Sequence, residues 1–156
     1  MIFENQTLEM YNVLSYRGKM TQQQMNVKSQ EISKLIELSG AHKNGFVATS
    51  TFSIEQAADG ALMDVEILVP LDREIAVPAG YMWKPRFLLT NALMVRHVGN
   101  PSLLGVAVNE LNAYILEHKL VPISTGYNVT VKEAKTPLEL EQMEIEVYVG
   151  ISPNIL

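Results

Sequence analysis

The chain has 156 residues, 47% of them hydrophobic and 19% charged, a balance that fits one folded domain and excludes an intrinsically disordered chain. Its formal net charge of −5, with lysines scattered rather than clustered, argues against a nucleic-acid surface, because phosphate neutralisation needs a basic patch. The lack of cysteine excludes disulfides, thiolate metal ligands and thiol catalysis.

The N-terminal stretch MIFENQTLEM has neither a basic n-region nor an apolar h-region, so no secretory signal is expected. No apolar run approaches the roughly 18 to 20 residues that span a bilayer, so no membrane association and a cytoplasmic location are expected. The first strand-like segment is Tyr11–Arg17, closed by Gly18. Thr21 and Gln24 then have the spacing of a capping box, in which the hydroxyl accepts one free helix N–H and the amide accepts another. Met25, Ile32, Leu35 and Ile36 recur on one helical face, interrupted by Lys28 and Ser29, and Gly40 supplies the stop. Gly45 opens a strand over Phe46–Phe52, a polar stretch Ser53–Gly60 follows, and Met63–Leu71 reads as the next strand.

Residues 72–86, with Pro78, Gly80 and Pro85, form a connection, and Phe87 begins the next strand, which closes at Gly99. Asn100 is the expected N-cap and Pro101 the first helical residue of a second helix, whose face is Leu104, Ala107, Val108, Leu111, Tyr114 and Ile115. Gly126 opens the strand Tyr127–Val131, and a polar stretch Lys132–Gln142 leads to the last strand, Met143–Ile151.

The second half of this order repeats the first. Twenty-seven positions separate Gly18 from Gly45 and Gly99 from Gly126. Met63-Asp-Val-Glu-Ile-Leu-Val-Pro-Leu71 parallels Met143-Glu-Ile-Glu-Val-Tyr-Val-Gly-Ile151, with Met, Glu and Val coincident at three positions. The offset is 81 at the glycines and 80 in the last strand, and by the glycines Tyr16 and His97 are equivalent. The expectation is one α+β domain, 1–156, made of two tandem strand–helix–strand–strand repeats (1–71 and 87–156). Their strands form an antiparallel sheet with both main helices on one face.

In the last strands Met63, Val65, Ile67, Val69 and Leu71 form one apolar row, matched by Met143, Ile145, Val147, Val149 and Ile151. Side chains alternate across a strand, so each row lies under its helix. The opposite rows carry Asp64, Glu66 and Leu68, and Glu144, Glu146 and Tyr148. That face is expected to be open, with Glu66 and Glu146 in related places bordering a groove shared by the repeats. Met94 and Met82 are expected to supply adaptable walls, and Trp83 is the one indole.

A tandem pair of such units, ending in Glu-Ile-Leu-Val-Pro-Leu71 and Glu-Val-Tyr-Val-Gly-Ile151, resembles the GyrI-like effector-binding superfamily and its SOUL-type relatives. It is similar, more narrowly, to an uncharacterised Firmicute family of this fold found near type VII-secreted toxin genes. The superfamily resemblance implies a glutamate among aromatic residues that meets cationic, lipophilic ligands. Glu146 is the position that matches, with Tyr148 and Tyr127 as aromatic neighbours. Gly150 departs from the proline usual there, whereas Pro70 keeps it.

The ligand-binding candidates are therefore Glu146, Tyr148, Glu66, Tyr127, Trp83 and Met94, and the expected function is non-enzymatic capture of small amphipathic or cationic ligands. Each has a plainer reading beside it: Glu66 and Glu146 as solvated acids, Arg96 as the surface partner of Glu146, Trp83 as packing. The alternative of another class is an interaction module whose open face or edge strand pairs with a protein partner or a second copy. No catalytic residues are expected, since no nucleophile motif or phosphate loop occurs. No cofactor and no metal are expected either, because His42, His97 and His118 lie in different elements without ligand spacing.

Overall fold

A computed structural model describes residues 1–154. In chain order the elements are β1 (Ile2–Met20), α1 (Gln22–Leu38), β2 (Ala48–Ala57), β3 (Gly60–Pro70), β4 (Tyr81–Val98), α2 (Leu104–Glu117), β5 (Tyr127–Lys132) and β6 (Glu144–Gly150). The architecture is α+β, with antiparallel strands and two main helices, as expected from the sequence. The chain forms two compact units. The first is Met10–Phe87; the second joins Met1–Glu9 to the chain from Leu88 onward.

In the first unit β3 lies between β1 and β2 and is antiparallel to both. Leu14 faces Val69, Tyr16 faces Ile67 and Gly18 faces Val65, all on the side covered by α1. Ile32 and Ile36 of the helix close this core, with Met25 and Leu35 at its margin. Each fully buried side chain of this size contributes about 1.5 to 3 kcal/mol. The capping box forms: Thr21 Oγ1 accepts from Gln24 N, and Gln24 Oε1 accepts from Thr21 N. Lys28, which breaks the apolar helix face, sets its ammonium 4.4 Å from the Tyr16 ring centroid, so its stem covers the core while its charge stays at the rim. Gly18 leaves room for the same ring, which would lie 3.1 to 3.4 Å from an added Cβ.

In the second unit β6 lies between β4 and β5. Leu93 faces Val149 and Val95 faces Val147, and both pairs pack beneath Ala107 and Leu111 of α2. Asn100 caps a short 3₁₀ turn, Pro101–Leu103, that leads into α2. The polar stretch before β6 also contains a 3₁₀ segment, Pro137–Gln142.

The two units repeat each other in internal detail, but not at the glycines. Arg17 pairs with Glu66 and Arg96 with Glu146. Asn12 and Asn91 each adopt a left-handed φ, of 53° and 50°, and offer their carbonyls to Leu71 N and Ile151 N. The β1 and β4 partners are 79 apart and the β3 and β6 partners 80, so Gly18 corresponds to His97, and Tyr16 corresponds to Val95 rather than to His97. Bulges recur as well, between Thr51 and Ser53 and between Thr130 and Lys132. Asparagine tolerates the left-handed region, so it bends a strand without ending it. Hence β1 runs for 19 residues where the sequence pattern marks only Tyr11–Arg17. The β2–β3 hairpin is likewise tighter than expected, because β2 continues to Ala57 and pairs it with Gly60.

Candidate ligand-binding site

In both units the sheet face turned away from the helix carries a buried glutamate. Glu66 is 7% exposed and Glu146 9%. This overturns the expectation of solvated acids on an open face. Burying a carboxylate is costly unless charge and hydrogen bonds compensate, and each unit compensates differently.

Glu146 projects from the middle of β6. Its Oε2 accepts from Arg96 Nη2 at 2.8 Å, across the β4–β6 ladder. Its Oε1 accepts from the Tyr148 hydroxyl at 3.2 Å. Arg96 is half-exposed, and the nearby carboxylate raises its pKa. Tyr148 is buried between neighbours on both sides, with Met94 directly opposite on β4 and Tyr127 opposite on β5. One sheet face of one unit thus holds Glu146, Arg96, Tyr148, Tyr127 and Met94 in two adjacent cross-strand rows. Every member was named from the sequence.

Burial, then the negative charge of Glu146, pushes the Tyr148 phenol up to about 12. The folded state therefore holds this proton more tightly than the unfolded chain does. The resulting stability is complete below the ordinary tyrosine pKa near 10 and is lost as pH rises from about 10 to about 12. With allowance for solvent screening it amounts to about 1 to 2 kcal/mol. An ultraviolet difference titration should show one phenol ionising near the upper end of that window, and Tyr148→Phe should remove that step.

Glu66 in the first unit accepts from Lys84 Nζ at 2.6 Å and from Ser15 Oγ at 2.7 Å, both at Oε2. Arg17, its cross-strand neighbour, makes a two-pronged pair with Asp64. Lys84 and Ser15 escaped the sequence reading. The usable signal was the alternation Tyr81, Met82, Trp83, Lys84, which places Lys84 opposite in parity to the aromatic residues once 81–86 is recognised as strand. Trp83 packs against the helix-side core of the first unit, so it belongs to packing there and not to the Glu146 rows.

Clefts among the described residues include two that lie elsewhere. One of about 580 Å³ is lined by Thr21–Gln24 and the β2–β3 turn, and one of about 270 Å³ by Asn5, Asn91 and Ser152 among others. None of the expected ligand-binding residues lines either. Among the described residues no group of acids and histidines is placed to hold a metal ion, and no helix is long and apolar enough to cross a membrane.

No protein-family model matches the sequence, and no curated protein matches it. Solved structures do match. The chain superposes on EcmrR in its DNA complex with RPo at a TM-score of 0.76 and 13% identity, over 96% of this chain and 57% of that one. It therefore spans little more than half of the EcmrR chain. The EcmrR C-terminal domain alone gives a TM-score of 0.71 at 12% identity, over 94% of this chain and 96% of that domain. A protein from Listeria innocua described as a hydrolase gives 0.60 at 15% identity, over 97% and 91% of the two chains. SAV2435 bound to tetraphenylphosphonium gives 0.54 at 13% identity, over 98% and 93%. At such identities the likeness establishes architecture: this chain has the fold of the EcmrR C-terminal domain, the α+β arrangement that the resemblance to GyrI-like domains implied.

Proposed function

We propose that this chain binds small lipophilic cations, with Glu146 as the counter-ion and Tyr148, Tyr127 and Met94 as the adjoining walls. The observation that carries this reading is a carboxylate buried among two tyrosines and a methionine whose charge is met by a half-exposed arginine. An incoming cation takes over as counter-charge to the buried Glu146, so the half-exposed Arg96 turns to solvent without leaving that carboxylate unpaired. A delocalised cation loses little hydration on entering, and each aromatic face adds about 0.5 to 2 kcal/mol. Methionine adapts to irregular ligands. SAV2435, with the same fold, was solved with tetraphenylphosphonium, which makes that cation the natural probe.

The same geometry argues for binding without turnover. A phenol held protonated up to about 12 is a poor nucleophile, and the adjacent carboxylate is already engaged by Arg96 and Tyr148. In a thermal-shift titration, tetraphenylphosphonium should raise the Tm of the wild-type protein in a concentration-dependent manner. Glu146→Gln keeps the shape and removes the charge, and should weaken binding by about tenfold. An equal shift in both proteins would remove Glu146 from the site.

A further inference from the structure

The Glu66 site has the same ingredients, a buried carboxylate and an aromatic ring, but a cation already sits in it. Lys84 Nζ lies 2.6 Å from Glu66 Oε2 and 5.9 Å from the Phe87 ring centroid, within reach of a cation–π attraction. The Ser15 hydroxyl, itself 2% exposed, donates to the same oxygen and fixes the carboxylate. The lysine side chain is only 26% exposed. In the second unit the residue that stands where Lys84 stands, by the 79-residue equivalence, is the uncharged Asn5. We infer that Glu66, Ser15 and Phe87 form a second cation site, specific for a primary ammonium, which the chain fills permanently with its own Lys84.

The physical distinction is between a site and a mere ion pair. A mere pair needs its covalent tether, because two exposed partners gain little from meeting. A site keeps its carboxylate buried and oriented when the tether is cut, and accepts a free cation of matching shape. Lys84→Ala removes Cγ, Cδ, Cε and Nζ, and the missing atoms have the shape of n-propylammonium. The buried Glu66 then loses the Lys84 charge, and removal of one partner of a buried pair is strongly destabilising.

The test is a thermal melt of Lys84→Ala with added n-propylammonium chloride, beside sodium chloride at equal ionic strength and 1-propanol as the neutral analogue. Lys84→Ala should melt roughly 6 to 15 °C below wild type. n-Propylammonium should restore a large part of that loss, and neither control should. The double variant Lys84→Ala/Glu66→Gln has no buried charge left to pair, so it should lose less and should not respond. The inference is overturned by an unchanged melt in the single variant, by no recovery with n-propylammonium, by equal recovery with sodium chloride or 1-propanol, by equal recovery in the double variant, or by a single variant that n-propylammonium cannot refold while the double variant folds.

One consequence is stoichiometric. With the first site filled from within, the wild-type chain takes one free cation, at Glu146. That step rests on the proposed role of Glu146, whereas the rescue does not. Adding Glu146→Gln to Lys84→Ala should leave the n-propylammonium response intact, so the two readings fail separately.

Discussion

Gly150→Pro should destabilise the protein by about 3 kcal/mol, although proline occupies the corresponding position, Pro70, in the first unit. The two positions solve one packing problem in opposite ways. In the first unit Pro70 fills the space and its neighbour Gly45 is bare; a Cβ on Gly45 would come within 3.2 Å of the Pro70 ring. In the second unit Gly150 is bare and Ser124 stands where Gly45 stood. A Cβ on Gly150 would lie 2.7 Å from Leu89 Cδ1 and 3.3 Å from both Ile123 Cγ1 and Ser124 Oγ. The Gly150 N–H also donates to Ser124 Oγ at 2.8 Å, a bond that proline cannot make. Overpacking accounts for about 1 to 3 kcal/mol and the lost hydrogen bond for about 0.5 to 1.5. Urea denaturation should show a lower midpoint with an unchanged slope. Ser124→Gly in the proline background should recover part of the loss, since it recreates the pairing of the first unit. A cost below about 0.5 kcal/mol would mean that the second unit relaxes at this corner more freely than its packing indicates.

Leu111→Ala should cost about 3 kcal/mol. Leu111 is 1% exposed, at the centre of the α2 face that rests on Leu93, Val95, Val147 and Val149. Truncation there removes buried methyl groups and leaves a cavity that a closely packed helix and sheet cannot refill. Leu116 lies on the same helix but is 81% exposed, and Leu116→Ala should change stability by less than about 0.5 kcal/mol. Similar losses from the two substitutions would mean that α2 presents a different face to the sheet.

The helix-facing half of this core was legible because two periodicities agree. The row Val65, Ile67, Val69 alternates with period two, and Ile32, Leu35 and Ile36 recur at helical spacing. Local capping chemistry then fixed the start of α1 at Thr21. What the sequence concealed depends on contacts across strands. Gly18 and Gly99 suggested an offset of 81, yet the true equivalence is carried by Asn12 and Asn91, whose left-handed conformation only the ladder reveals. The long β1 was hidden for the same reason.

The candidate site divides in the same way. Glu146, Tyr148 and Met94 share a face by strand parity, so their meeting was predictable. Their burial was not, because an acid in a strand looks the same whether its face is wet or covered. Lys84 was missed altogether, since Pro85 beside it reads as a loop signal, and proline is tolerated in a strand only where no ladder hydrogen bond is required. Trp83 is a ligand candidate by residue type, with packing as its plainer reading, and it packs, partly buried, against the core beneath α1.

A crystal structure of the wild-type protein grown with tetraphenylphosphonium decides whether Glu146 is the counter-ion of a bound cation. One phosphonium per chain is expected, against the Tyr148 and Tyr127 rings, with the Glu146 carboxylate as its nearest anion and Arg96 swung toward solvent. A phosphonium seated only beside Gln22 and Met63 in the larger cleft, with the Arg96–Glu146 pair undisturbed, would contradict it.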